Sequence, residues 1–158
     1  MCGIAGFIDI NGSLNEQETF ENLKKMSDSL FHRGPDSSGD YYDQEYAIGF
    51  THRRLAILDL SQNGNQPMFS FSGRYVLIFN GEIYNHIILR NELNSFKKDI
   101  KWNGNSDTET LLSAFEIWGL EKTLDKISGM FSFGLWDRKE KFLHLARDRV
   151  GEKPLYYG

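Results

Sequence analysis

The chain has 158 residues, enough for one domain with a single sizeable core, and its make-up of 40% hydrophobic, 25% charged and 14% aromatic residues is that of an ordinary globular protein rather than a disordered one. Eighteen Lys and Arg against 22 Asp and Glu leave a net charge of −4 with no basic block, which argues against a nucleic-acid-binding surface. No apolar run nears the ~20 residues that span a bilayer, "MCGIAGFIDINGS" does not fit a signal peptide, and the lone Cys2 excludes an internal disulfide, so a reduced, cytoplasmic protein with no membrane or nucleic-acid partner is expected.

In chain order, "GIAGFIDI" reads as a buried strand ending at an Asn-Gly turn. The spacing of Phe20, Leu23, Met26 and Leu30 predicts a helix over Asn15 to Leu30 with those residues on its inner face. "HRGPDSSGD" reads as a loop, "YAIGFTHRRLAIL" as a strand, "GNQP" as a turn, and "SFSGRYVLIFNG" as a hairpin turning at Ser72-Gly73. Two helices follow: "HIILRNELNSF", and "SDTETLLSAFEIWG", opened by a Ser106/Glu109 capping box and closed by Gly119. "GMFSFGLWD" and "KFLHLARD" close the series as adjacent buried strands joined by "RKEK". Because strands and helices come in blocks, antiparallel sheets with helices stacked on them are expected, an α+β architecture in one domain over residues 1–158.

Several residues could carry chemistry. Removal of Met1 would leave Cys2 with a thiol and a free α-amine, hence nucleophile and base in one residue; free thiols titrate near ~8.5 and α-amines near ~7.7–8.0, so the amine can take the thiol proton at neutral pH. A small buried hydrophobe opening a strand is the alternative at that position. In "FNGEIYN", Asn80 can offer an amide N–H and Gly81 a backbone N–H, two donors suited to an oxyanion hole, against the alternative of a plain Asn-Gly turn. In "THRRLAILD", alternation sends Arg53 and Arg54 to opposite faces, so one of them can reach a site and bind a carboxylate bidentately; the residues alone leave open which. Asp107 can complement the dipole of the helix it opens or pair with an ammonium group. "HRGPDSSG" suits an ordinary loop or a lid. His52, His86 and His144 lack ligand spacing with one another or with Cys2, so no metal is expected.

Taken together, "MCGIAGF", "HRGPDSSG", "HRRLAILDLS", "NQPM", "FNGEIYNH", "SDTETLL", "GMFSFGLWD" and "ARDRVGEKPLYYG" resemble, in order and spacing from Met1 to Gly158, the glutaminase domain of glutamine-dependent asparagine synthetases. That is a class II glutamine amidotransferase domain of the N-terminal-nucleophile hydrolase fold. The resemblance implies a four-layer αββα sandwich of two mainly antiparallel sheets. It further implies attack of Cys2 on the side-chain amide of glutamine, giving a glutamyl thioester and ammonia, then glutamate. On the family's motifs Arg54, not Arg53, binds the α-carboxylate, Asn80 and Gly81 form the oxyanion hole, Glu82 and Asp107 hold the α-amino group, and the backbone around Leu55 and Ile57 lines the pocket. The domain itself needs no cofactor. ATP and Mg belong to the synthetase domain, whose pyrophosphate-binding loop is absent from this chain and which is expected as a continuation of a longer chain, or otherwise as a separate partner. A homodimer stays open, as do another carboxylate or sugar acceptor for the ammonia and a catalytically silent docking module.

Overall fold

The computed structural model describes residues 2–56 and 61–158. Within them lie strands β1 (Gly3–Ile8), β2 (Ser37–Asp43), β3 (Ile48–Arg54), β4 (Met68–Phe69), β5 (Tyr75–Ile83), β6 (Gly129–Asp137) and β7 (Phe142–Arg147), and helices α1 (Glu16–Ser29), α2 (His86–Phe96), α3 (Asp107–Trp118) and α4 (Leu120–Lys126). They build a three-stranded sheet in the order β1-β3-β2 and a four-stranded sheet in the order β4-β5-β6-β7, each pairing antiparallel. The first sheet packs α1 on its outer face, α3 lies against β5 with α2 beside it, and the two sheets meet through β1, β3 and β5. This is the expected αββα sandwich. No helix among the described residues is long and apolar enough to cross a membrane.

Period 2 sorts the side chains of β5 into two cores. Tyr75, Leu77, Phe79 and Ile83 join Leu111, Leu112 and Phe115 of α3 on the helix side. Val76 and Ile78 instead join Ile48 and Phe50 of β3 and Trp136 of β6 between the sheets. Continuing the same alternation, the inter-sheet layer runs from Phe50 to His52 and Arg54 on β3, from Ile78 to Asn80 and Glu82 on β5, and from Trp136 to Ser132 and Met130 on β6. The space between the sheets is therefore apolar at one end and polar at the other.

Two local expectations change, one alternative falls away and one unassigned stretch becomes a helix. The inner face of α1 is Thr19, Leu23 and Ser27 at four-residue steps, while Phe20 is 48% exposed and lies edge-on to Tyr42 of β2. The "SSGD" that closes the expected loop is instead the first part of strand β2, bonded along β3 with Ser37 opposite Arg54. The preceding Phe31–Arg33 is a turn of 3-10 helix, and Asp36 is tied to β3 by donating its N–H to the Arg54 carbonyl (3.1 Å) and accepting the Ala56 N–H on its carboxylate (2.8 Å). The stretch thus buttresses β3 instead of hanging over the cleft. Asn80-Gly81 is not a turn either, since β5 runs extended through both, opposite Ser132 and Phe131. Finally, the residues after Gly119 form the short helix α4.

Candidate active site

At the polar end of the inter-sheet layer a cleft is lined by Cys2, Arg54, Leu55, Asn80, Gly81, Glu82 and Asp107, seven of the eight residues singled out from the sequence. Ile57 lies outside the described residues. Three separate pieces of chain bring the seven together. β1 and β3 pair with Gly3 opposite Arg53, which sets Cys2 beside the Arg54-Leu55 end of β3. β5 supplies Asn80, Gly81 and Glu82, and the first turn of α3 supplies Asp107.

The Cys2 Sγ is 3.5 Å from the Leu55 N–H, which can donate to it, and 3.8 Å from the Leu55 carbonyl, to which a thiol can donate. The same backbone thus serves both protonation states of the sulfur. Arg33 Nε donates to the Cys2 carbonyl at 3.3 Å and fixes the residue from outside the sheet.

The alternation foreseen for the two arginines is realised. Arg53 faces α1, where it donates to the Ser27 carbonyl (3.1 Å) and pairs with Asp28 (2.9 Å). Arg54 is 8% exposed and faces the cleft, with Nη1 donating to the Ser61 carbonyl (2.7 Å) and to Asn65 Oδ1 (2.8 Å). Gly64 is what leaves room for it: a Cβ there would stand 2.2 Å from Arg54 Nη2.

Asp107 is 6% exposed and accepts the Ile83 N–H on Oδ2 and the Thr108 N–H on Oδ1, both at 2.9 Å. Burial raises its carboxyl above the usual carboxylate range, opposed by those N–H donors and by His86. Ser106 caps α3 by accepting the Glu109 N–H. The Glu109 carboxylate completes no capping box; it turns to the N–H groups of Asn103 and Gly104 and to Arg90.

The backbone of β5 shows how N–H donors become available here. Even-numbered residues bond to β6. Odd-numbered ones face the other edge, as the Tyr75 carbonyl does in accepting from Ser70 and the Ile83 N–H in reaching Asp107. On that edge β4 stops at the pairing of Met68 with Leu77. Beyond it the Phe79 N–H goes to Gln66 Oε1 (2.6 Å) and the Ile83 N–H to Asp107. Among the described residues the Gly81 N–H between them has no partner, so a strand edge presents one donor into the cleft beside the Asn80 amide. Gly81 also has a packing reason to be glycine, because its Cβ would lie 2.2 Å from the Met130 carbonyl oxygen. Chemically, the cleft offers a thiol, two N–H donors, a guanidinium and two carboxylates, the complement of a zwitterionic amino acid with a carbonyl on its side chain.

The cleft also holds residues of the motifs to which the resemblance assigns no role. Gln66, Thr108 and Lys153 line it. Lys153 is 5% exposed and is delivered by a turn folded around Asp148, whose carboxylate accepts the N–H groups of Phe131, Glu152 and Lys153. Burial would raise the Asp148 carboxyl, but those donors outweigh it and hold it at about 2. The turn lies in the motif "ARDRVGEKPLYYG", to whose residues the resemblance assigns no role. Among the described residues no cluster of three His, Cys, Asp or Glu could hold a metal.

The chain is similar to several known proteins. Asparagine synthetase [glutamine-hydrolyzing] 1 of Bacillus subtilis (strain 168) is 41% identical over 157 residues, covering 99% of this chain and 24% of that protein. Amidase chry2 of Gibberella zeae is 36% identical over 166 residues, covering 99% of this chain and 24% of that protein. The chain therefore spans about a quarter of the length of these relatives. Among solved structures, the glutamine phosphoribosylpyrophosphate amidotransferase of B. subtilis shares the fold, with a TM-score of 0.53 over 77% of this chain and 26% of that one at 19% identity. Residues 1–158 match the model of the glutamine amidotransferase domain, and the chain belongs to that family.

Proposed function

We propose that this domain hydrolyses the side-chain amide of glutamine through a thioester on Cys2, and that in a longer protein the ammonia feeds an ATP-dependent amidation of aspartate by a synthetase domain. The observation that carries the reading is the placing of the one thiol in the same cleft as the only unpartnered odd-numbered N–H described on the β5 edge, with Arg54 and Asp107 in its walls. Arg54 takes the α-carboxylate of glutamine, and Glu82 with Asp107 takes the α-ammonium. The α-amine of Cys2, freed by removal of Met1, accepts the thiol proton as sulfur attacks the amide carbon. The Asn80 amide and the Gly81 N–H hold the oxygen that becomes negative. The C–N bond then breaks, the amine returns its proton to the leaving nitrogen, and ammonia departs. Water next adds to the thioester, its proton passing to the same amine, and glutamate leaves with the thiol restored. These steps balance with no cofactor; ATP and Mg enter only with the synthetase domain.

The reading is tested by glutaminase assays on Met1-processed protein. Cys2→Ala and Cys2→Ser should lose nearly all glutamate release, and one alanine inserted between Met1 and Cys2 should be nearly as damaging although the thiol remains. An active insertion variant would contradict the role of the free amine.

A further inference from the structure

Past the end of β4, the outer edge of β5 is completed by side chains in place of a strand. At Phe79 both backbone groups are taken: Gln66 Oε1 accepts its N–H at 2.6 Å, and His52 Nε2 stands 3.3 Å from its carbonyl oxygen. A carbonyl can only accept, so Nε2 carries the proton and donates. His52 is 1% exposed and reaches across from β3 of the other sheet, while Gln66 is 7% exposed and comes from the turn before β4, with Nε2 donating to Thr108 Oγ1 at the start of α3 (3.4 Å). Burying these groups is costly. A hydrophobic residue at position 52 would avoid the cost of a ring whose Nδ1 has no partner among the described residues. Burial, reinforced by the Arg54 charge and only partly offset by the bond to Phe79, pushes His52 down to about 4, so the ring stays neutral at ordinary pH. Phe79 immediately precedes Asn80 and Gly81.

We infer that His52 and Gln66 are positioning residues of the glutaminase reaction: gripping the Phe79 backbone from both of its polar groups, they set the direction in which the next two residues present their N–H donors to the thiol. The inference rests on the proposed glutaminase reading. An oxyanion donor must lie about 2.7–3.1 Å from the oxygen as it becomes negative, and a misplacement of ~1 Å can cost about 10²-fold in rate. Neither residue touches the α-carboxylate or α-ammonium of glutamine in this scheme, so their loss acts on the chemical step and not on ground-state binding.

The test compares His52→Leu, His52→Gln and Gln66→Leu with Cys2→Ala in the Met1-processed protein. Measured are kcat and KM for glutamine, the rate of Cys2 alkylation by iodoacetamide, which needs the thiol but no oxyanion donor, and thermal unfolding. His52→Leu and Gln66→Leu should each lower kcat about 10–100-fold with KM changed less than about threefold and alkylation as in the parent. His52→Gln, whose amide can still donate to Phe79, should recover most of kcat. The inference is overturned if His52→Leu keeps the parental kcat, or if kcat, alkylation and unfolding temperature fall together and His52→Gln recovers none of them, which would mark His52 as a packing residue. A Cys2→Ala protein that still hydrolyses glutamine would instead remove the Cys2 thioester mechanism on which the inference rests.

Discussion

Arg53 and Arg54 are adjacent in sequence and opposite in task, and the difference is measurable. Replacing Arg54 by lysine exchanges a planar fork for a point charge that cannot reproduce its bonds to Ser61 and Asn65 while meeting a carboxylate. A charged hydrogen bond contributes about 1.5–3 kcal/mol, so KM for glutamine should rise roughly 10–100-fold with kcat little changed. Arg53→Lys should leave steady-state kinetics near the parent, because Arg53 contacts α1. If Arg53 proves the sensitive one, the carboxylate has been placed one residue off. Removing the Asn80 amide as alanine acts differently, lowering kcat about 10²–10³-fold. Asp107 adds a pH dependence. Its carboxyl is raised by burial, so it takes up a proton at a higher pH than an exposed aspartate and then no longer attracts an ammonium group. Beneath the fall set by protonation of the Cys2 α-amine, kcat/KM should therefore steepen at a higher pH than an ordinary carboxylate would dictate, and Asp107→Asn should be weak at every pH and lack that second limb.

At the scale of elements, the site depends on how closely the backbone segments approach. Alanine at position 64 would collide with the Arg54 guanidinium, the far end of a side chain that can move, so Gly64→Ala should raise KM in the manner of Arg54→Lys with little loss of stability. Alanine at position 81 would meet the Met130 carbonyl, part of the paired strand, and should destabilise the fold by ~1–3 kcal/mol as well as slow turnover. Thermal unfolding run beside the kinetics separates the two. These positions also show where sequence reading stops. Helices α2 and α3 and strands β1, β5, β6 and β7 were legible because their apolar period and turn residues are local. β2 was not, since "SSGDYYD" is polar and becomes strand through its ladder to β3. Nor was α4, seven residues entered from Gly119 with no side-chain cap. Cys2, Asn80, Gly81 and Asp107 could be named from chemistry and motif resemblance together. Gln66 and His52 could not, because their partner Phe79 lies 13 and 27 residues away and no periodicity points there; nor could Lys153, whose turn is tied to β6 through Asp148 and Phe131, 17 residues apart.

For the whole molecule, the two sheets and α3 each contribute part of one cleft, so the site exists only once the sandwich has closed. A unit that spans about a quarter of its relatives' length nonetheless holds every group used in the proposed hydrolysis. Residues 2–158 alone should then release glutamate and ammonia one to one, with a rate indifferent to ATP and aspartate, and should form no AMP and no asparagine; a coupled assay of the four products checks this. The central claim, however, is covalent. Glutamine labelled in its carbon chain is mixed with the Met1-processed domain, quenched in acid during turnover, and the digested protein is examined by mass spectrometry. The account predicts a labelled glutamyl thioester on the Cys2 peptide, released by hydroxylamine, and neither adduct nor glutamate with Cys2→Ala. Steady hydrolysis by Cys2→Ala, or turnover of the parent with the label on another residue, would contradict it.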